Sequence, residues 1–166
     1  MEKMRPFLYV LVLLVAVIGF VTLRGENIKQ PLQYNHKKHV EDAGLGCPDC
    51  HQYVENLAAA GMPRTSTCLE CHAEALTEGT EEQKFLELAA NGNEIRWQPV
   101  YKMPADVYFS HQRHVTIAEI ECETCHGNIA ELTTPPKRPA VKLSMKYCMK
   151  CHEEMKADND CLACHK

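Results

Sequence analysis

The sequence predicts a mostly α chain with much irregular structure: an N-terminal transmembrane helix, then a small domain built around something other than hydrocarbon. Three observations lead there. Residues 7–23, FLYVLVLLVAVIGFVTL, run seventeen positions without a charge. Beyond them leucine, isoleucine, valine and phenylalanine are sparse, whereas ten cysteines and nine histidines fall into a pattern. Residues 34–51 (YNHKKHVEDAGLGCPDCH) and 109–126 (FSHQRHVTIAEIECETCH) repeat one figure at identical spacing: an aromatic, then H-x-x-H, then C-x-x-C-H. A chain of 166 residues with so thin an apolar core needs metals or crosslinks to hold it.

The apolar segment comes first. As a helix it spans about 25 Å at ~1.5 Å per residue, slightly short of a hydrocarbon layer of ~27–30 Å. It is longer than the ~7–15-residue stretch of a cleaved signal, and it runs into VTLRGEN without a small-x-small site. A cleaved signal and a buried core helix are the alternatives. Lys3 and Arg5 precede it, so positive-inside logic keeps the N-terminus cytoplasmic and exports the remainder. Residues 1–24 therefore read as an uncleaved anchor in the inner (cytoplasmic) membrane, and 25–33 as a polar linker. The net charge of −4 names no partner, and neither a long basic run nor a binding motif points to nucleic acid.

The ten cysteines form five pairs, each with two residues between and each followed at once by histidine: Cys47-Cys50-His51, Cys68-Cys71-His72, Cys122-Cys125-His126, Cys148-Cys151-His152 and Cys161-Cys164-His165. Structural disulfides suit an exported domain but leave the five histidines unexplained. Zinc takes C-x-x-C units two at a time, which leaves one of five unpaired, and it gains nothing from the adjacent histidine. Thioredoxin-like chemistry needs one such pair in a βαβ setting. The c-type haem signature accounts for every element. Two thiols add to the vinyl groups of one haem, and the next histidine is the proximal iron ligand. Five covalently bound haem c groups follow, and their attachment requires export.

Each iron has a second axial face. The histidines left over are His36, His39, His111 and His114, the members of the two H-x-x-H figures. On a helix, positions i and i+3 share a face, so each pair can point at haems on one side; four solvated surface histidines are the plain alternative. Bis-histidine ligation of four haems leaves a fifth iron either open or bound by methionine, which raises the potential relative to bis-histidine neighbours. Met103 and Met145 are the candidates, with Tyr101 a weaker one, although a lone methionine is more often packing.

The domain then divides into module one (34–72), a helical insert and crossover (73–108), module two (109–152) and a C-terminal haem motif (153–166). Residues 52–60 offer a short helix stopping near Gly61-Met62-Pro63. Thr80 and Gln83 form a capping-box pattern, with Phe85, Leu86, Leu88 and Ala89 on an amphipathic helix ended by Asn91-Gly92. Residues 93–108 read as an extended crossover in which Trp97 packs, and Pro135, Pro136 and Pro139 discourage regular structure in the last linker.

These modules resemble the cytochrome c3 and c7 class of small multihaem cytochromes. The stretches QPLQYNHKKHV, AGMPRTSTCLECH, EIRWQPVYKMPADVYFSHQRHV, IECETCHG and LSMKYCMKCH resemble more closely the membrane-anchored pentahaem subunit of alternative complex III and of menaquinone reductase complexes. The resemblance implies a haem-cored domain on the periplasmic side. It also implies partners: an iron–sulfur/molybdopterin-like subunit, an integral quinol-binding subunit and a periplasmic redox partner. The stretch matching VYKMP usually carries histidine where this chain has Tyr101, in keeping with the missing fifth ligand.

Electron transfer without catalysis is the leading function, since bis-histidine iron offers substrate no coordination site. A stand-alone anchored quinol dehydrogenase feeding a periplasmic reductase shares the architecture, though the repeated H-x-x-H argues against it. A haem enzyme reducing nitrite or hydroxylamine needs a shaped distal pocket, for which this thin wrapper has little material.

Overall fold

Short helical turns carry the chain through residues 27–165, which are the residues that the computed structural model describes. The expected anchor lies outside them, and among the described residues no helix is long and apolar enough to cross a membrane. One antiparallel bridge, Val107 to His165, is the only strand-like pairing there.

The recurring unit is a single turn at each cysteine pair. The N–H of His51, His72, His126 and His165 donates to the carbonyl of the first cysteine of its motif at 2.9, 2.9, 3.0 and 2.9 Å. Positions i and i+3 then share a face, so both thiols of a pair point one way. These turns make up α1 (Cys47–Cys50), part of α2 (Thr65–Leu69), α4 (Glu123–His126) and α6 (Cys161–Cys164), while the fourth motif sits in α5 (Met145–Glu154).

The predicted insert helix forms as α3 (Thr80–Ala90). Its cap differs: Gly79 occupies the N-cap and no side chain caps the turn, so the Thr80/Gln83 box is not made. Glu81 and Glu82 in the first turn meet the positive helix end instead. At the other end Gly92, at φ +68°, takes the left-handed conformation that closes helices. Phe85 packs with Leu32 and Ile95, flanked by Leu69, Leu86, Leu88 and Trp97. The Trp97 indole N–H donates to the Pro63 carbonyl at 3.0 Å, in keeping with a packing role. Residues 27–33 lie against this insert: Leu32 is part of the cluster, and Gln30 bonds Gln98 in both directions at 2.7 and 2.9 Å. Val54 and Pro135 are the remaining buried apolar side chains among the described residues, so hydrocarbon does little to organise the rest.

The two H-x-x-H segments fold identically, though not as plain α-helix. His36 and His111 open a helical turn that widens into π1 (Lys38–Asp42) and π2 (Arg113–Ile117). Their closing bonds match: Ala43 N–H to Lys38 O at 3.2 Å and Ala118 N–H to Arg113 O at 3.1 Å, then Leu45 to His39 and Ile120 to His114, both at 3.0 Å. Asn35 Oδ1 and Ser110 Oγ accept from the Lys38 and Arg113 amides, as N-capping residues do.

The halves also meet as equivalents. Lys37 N–H donates to Leu132 O at 3.1 Å, and Gln112 N–H donates to Leu57 O at 3.2 Å. Both partners shift by the same 75 positions as the histidines, the reciprocal contact that a two-fold axis produces. This contact explains a difference from expectation at residues 52–60, which form turns and no helix. The carbonyls of Glu55, Leu57 and Ala58 face outward to Thr116, Gln112 and His111, and are not spent on an i→i+4 ladder.

Candidate haem sites

One aromatic wedges each histidine pair. The Tyr34 ring meets His36 edge-on at 4.7 Å and 85° and stacks on His39 at 4.3 Å and 28°. Phe109 repeats this with His111 at 4.9 Å and 87° and with His114 at 4.7 Å and 27°. The two imidazoles of a pair therefore differ in orientation and face different partners.

Those partners are the motif histidines. His39 lies 6.0 Å from His72, His111 lies 6.4 Å from His126, and His114 lies 6.1 Å from His152, ring centre to ring centre. Burial, then the charges of His51 and His39, hold His36 down to about 4. In module two the first histidine of the H-x-x-H thus meets the first motif and the second meets the second, and in module one the second histidine likewise meets the second motif. Among the described residues no three His, Cys, Asp or Glu side chains converge on a protein-only metal cage. The imidazoles meet in twos.

Hydrogen bonds at Nδ1 fix most of these rings. His39 bonds Asn35 O at 2.8 Å, His114 bonds Ser110 O at 2.8 Å, and His111 bonds Ala58 O at 3.0 Å. On the motif side His51 bonds Gly61 O at 2.9 Å and His152 bonds Asp158 O at 2.6 Å. Occupying Nδ1 with an acceptor sets the tautomer that leaves Nε2 a free lone pair, the usual support for a metal-binding histidine. Gly61 suits its role: its φ is +75°, and a Cβ there would sit 2.7 Å from the Tyr53 ring. His72 differs in donating to a carboxylate, Glu82 Oε1, at 2.7 Å. Hydrogen bonds from Thr77 and Leu76, with His72 adding to them, hold Glu82 down to about 2. The His36 Nδ1 is buried without a partner.

No disulfide joins any of the ten cysteines. Burial pushes Cys50, Cys122, Cys125 and Cys148 up, and Cys68 to about 11. Thiols of different motifs also act on one another: Cys50 on Cys68, Cys47 on Cys122, and Cys151 and Cys148 on Cys125.

Compared with known proteins, the chain is 33% identical over 162 aligned residues to "Menaquinone reductase, multiheme cytochrome c subunit" of Nitratidesulfovibrio vulgaris, covering 83% of this chain and 77% of that one. The chain belongs to the family of that multihaem cytochrome c subunit. Residues 107–166 also match the family described as cytochrome c7 and related cytochrome c, a stretch that starts at the Val107–His165 bridge and takes in module two and the last motif.

For a multihaem cytochrome c the facing imidazoles have a simple test. Two nitrogens each about 2.0 Å from a shared metal, and each about 1.2 Å from its own ring centre, place the ring centres about 6.4 Å apart when all lie in line. The observed 6.0–6.4 Å fits a six-coordinate metal between each pair, and the thiols on the adjoining turn fit covalent attachment.

Tyr101, the weaker fifth-ligand candidate, is committed elsewhere. Its hydroxyl donates to Cys125 O at 2.7 Å and accepts from Ala140 N–H at 2.8 Å, and its ring meets His126 edge-on at 4.9 Å. Its place is behind a motif histidine. Met103 is half-buried just ahead of the Val107–His165 bridge, and Met145 is 62% exposed at the start of α5. Sequence reasoning did not single out Asn35, Ser110 or Glu82, and named Gly61 only as part of a helix stop. Asn35 and Ser110 carried a further signal, being capping residue types directly before each H-x-x-H.

Proposed function

We propose that this chain is a pentahaem c-type cytochrome passing electrons among five sites, as a subunit of a quinone-linked membrane complex akin to menaquinone reductase or alternative complex III. The observation that carries the reading is the set of imidazoles facing one another across about 6 Å, each opposite a C-x-x-C-H turn. Haem c bound there supplies a one-electron Fe(III)/Fe(II) couple.

The residues divide the work. Cys47/Cys50, Cys68/Cys71, Cys122/Cys125, Cys148/Cys151 and Cys161/Cys164 anchor the groups, with His51, His72, His126, His152 and His165 as proximal ligands. His36, His39, His111 and His114 close the opposite faces of the first four, and with both axial positions filled those sites conduct without binding substrate. Met103 is the first choice for the fifth site and Met145 the second.

The domain faces the outer side of the cytoplasmic membrane, held by residues 1–24, with quinol chemistry in a separate integral subunit and an iron–sulfur/molybdopterin-like subunit beside it. Purification from native membranes in mild detergent tests this. Co-migration with an integral quinol-reactive subunit is the expected result; quinol oxidation by this subunit alone would replace the reading with a stand-alone quinol dehydrogenase.

A further inference from the structure

We propose that Glu82 makes the iron held between His39 and His72 the last of the four bis-histidine centres to accept an electron. The proposal rests on the ligand pairing above and adds to it a positioning residue that acts through His72.

The argument begins with what each motif imidazole donates to. His72 and His152 are equivalent, each the second motif histidine of its module. His152 gives its Nδ1–H to a backbone carbonyl, Asp158 O, at 2.6 Å, as His51 does to Gly61 O. His72 gives its Nδ1–H to a full carboxylate at 2.7 Å. Its setting makes that carboxylate permanent: Glu82 is 9% exposed, and its oxygens accept from Leu76 N–H at 2.9 Å, Thr77 N–H at 2.7 Å and Thr77 Oγ1 at 2.5 Å. These bonds fix both charge and direction. The other motif histidine near a carboxylate, His165, sees Asp106 at 3.6 Å with that side chain 70% exposed, where water screens the charge.

A carboxylate accepting from Nδ1–H draws the imidazole toward imidazolate and raises its basicity as a ligand. Its negative charge also favours the more positive metal ion, and hydrogen bonding behind an axial ligand is one of the levers that set a haem potential. Reduction of this centre takes one electron from a neighbouring centre, Fe(III) becoming Fe(II).

The test is a site-resolved redox titration of the holoprotein by NMR, identifying the His72 haem by its proximity to the Phe85 ring, which is 6.1 Å from His72. In the unmodified protein this haem is reduced last of the four bis-histidine haems; any other order overturns the proposal. In Glu82→Gln, which keeps an acceptor and removes the charge, its reduction equilibrium moves about tenfold toward Fe(II), about 59 mV for a one-electron couple, while Asp106→Asn leaves it in place. Unmoved potentials in a Glu82→Gln protein with its low-spin haems intact overturn the role of Glu82 and leave the pairing standing. If His39→Ala leaves that haem low-spin, the pairing itself fails and the proposal with it.

Discussion

His111 and His126 lie opposite one another, their ring centres 6.4 Å apart and their planes 13° from parallel. The two residues come from separate turns, π2 and α4, brought together by the closing bonds of π2 and the one-turn geometry of the cysteine motif. His39 with His72 and His114 with His152 keep nearly the same separation, 6.0 and 6.1 Å, with their planes tilted by 49° and 41°.

The pairing assigns each distal substitution to one haem. His111→Ala should turn the haem at Cys122/Cys125 high-spin, and His114→Ala the haem at Cys148/Cys151; His36→Ala should do so at Cys47/Cys50. Electron paramagnetic resonance of the three variants checks this, and three unchanged low-spin spectra would refute the ligand roles.

Gly61 holds the acceptor for His51 in a conformation costly for any other residue. Gly61→Ala meets both a φ of +75° and the Tyr53 ring at 2.7 Å, so it should destabilise the holoprotein by about 1–3 kcal/mol. Gly44→Ala is the control: its φ is +68° but nothing lies within 4 Å of the added Cβ. Denaturant midpoints should therefore fall further for Gly61→Ala than for Gly44→Ala.

Tyr101→Phe removes the hydroxyl shared by Cys125 O and Ala140 N–H. Leaving those groups unpaired should cost about 1–3 kcal/mol with no low-spin haem lost. A new high-spin signal would return Tyr101 to the ligand set.

At the fifth site, Met103→Ala should lower the potential of the Cys161/Cys164 haem alone, since a methionine ligand raises it. A silent titration moves the assignment to Met145, and silence in both variants leaves that site without a methionine.

Much of this was legible in the residues. The ligands announced themselves because spacing is strict where metal geometry is strict: His36 and His111 each stand eleven positions before a cysteine pair. Helix α3 was readable from Phe85, Leu86, Leu88 and Ala89, since an apolar face follows the helical period. What stayed hidden depends on distant partners. Which distal histidine meets which motif follows from how the wedge aromatic splays the two rings. Residues 52–60 look helical, yet their carbonyls are claimed by module two, and tertiary contacts override local propensity. The widened turns π1 and π2 use residues equally fit for an α-helix. Glu82 resembled any exposed first-turn glutamate, for its partner His72 lies ten positions back across a loop.

The central claim is that five haems, not hydrocarbon, organise this chain. Intact mass spectrometry of the protein matured in a host that attaches haem c tests it most directly. The account predicts a single species carrying five covalently bound haems with a Soret band; a mass without haem, or with fewer than five in fully matured material, would contradict it.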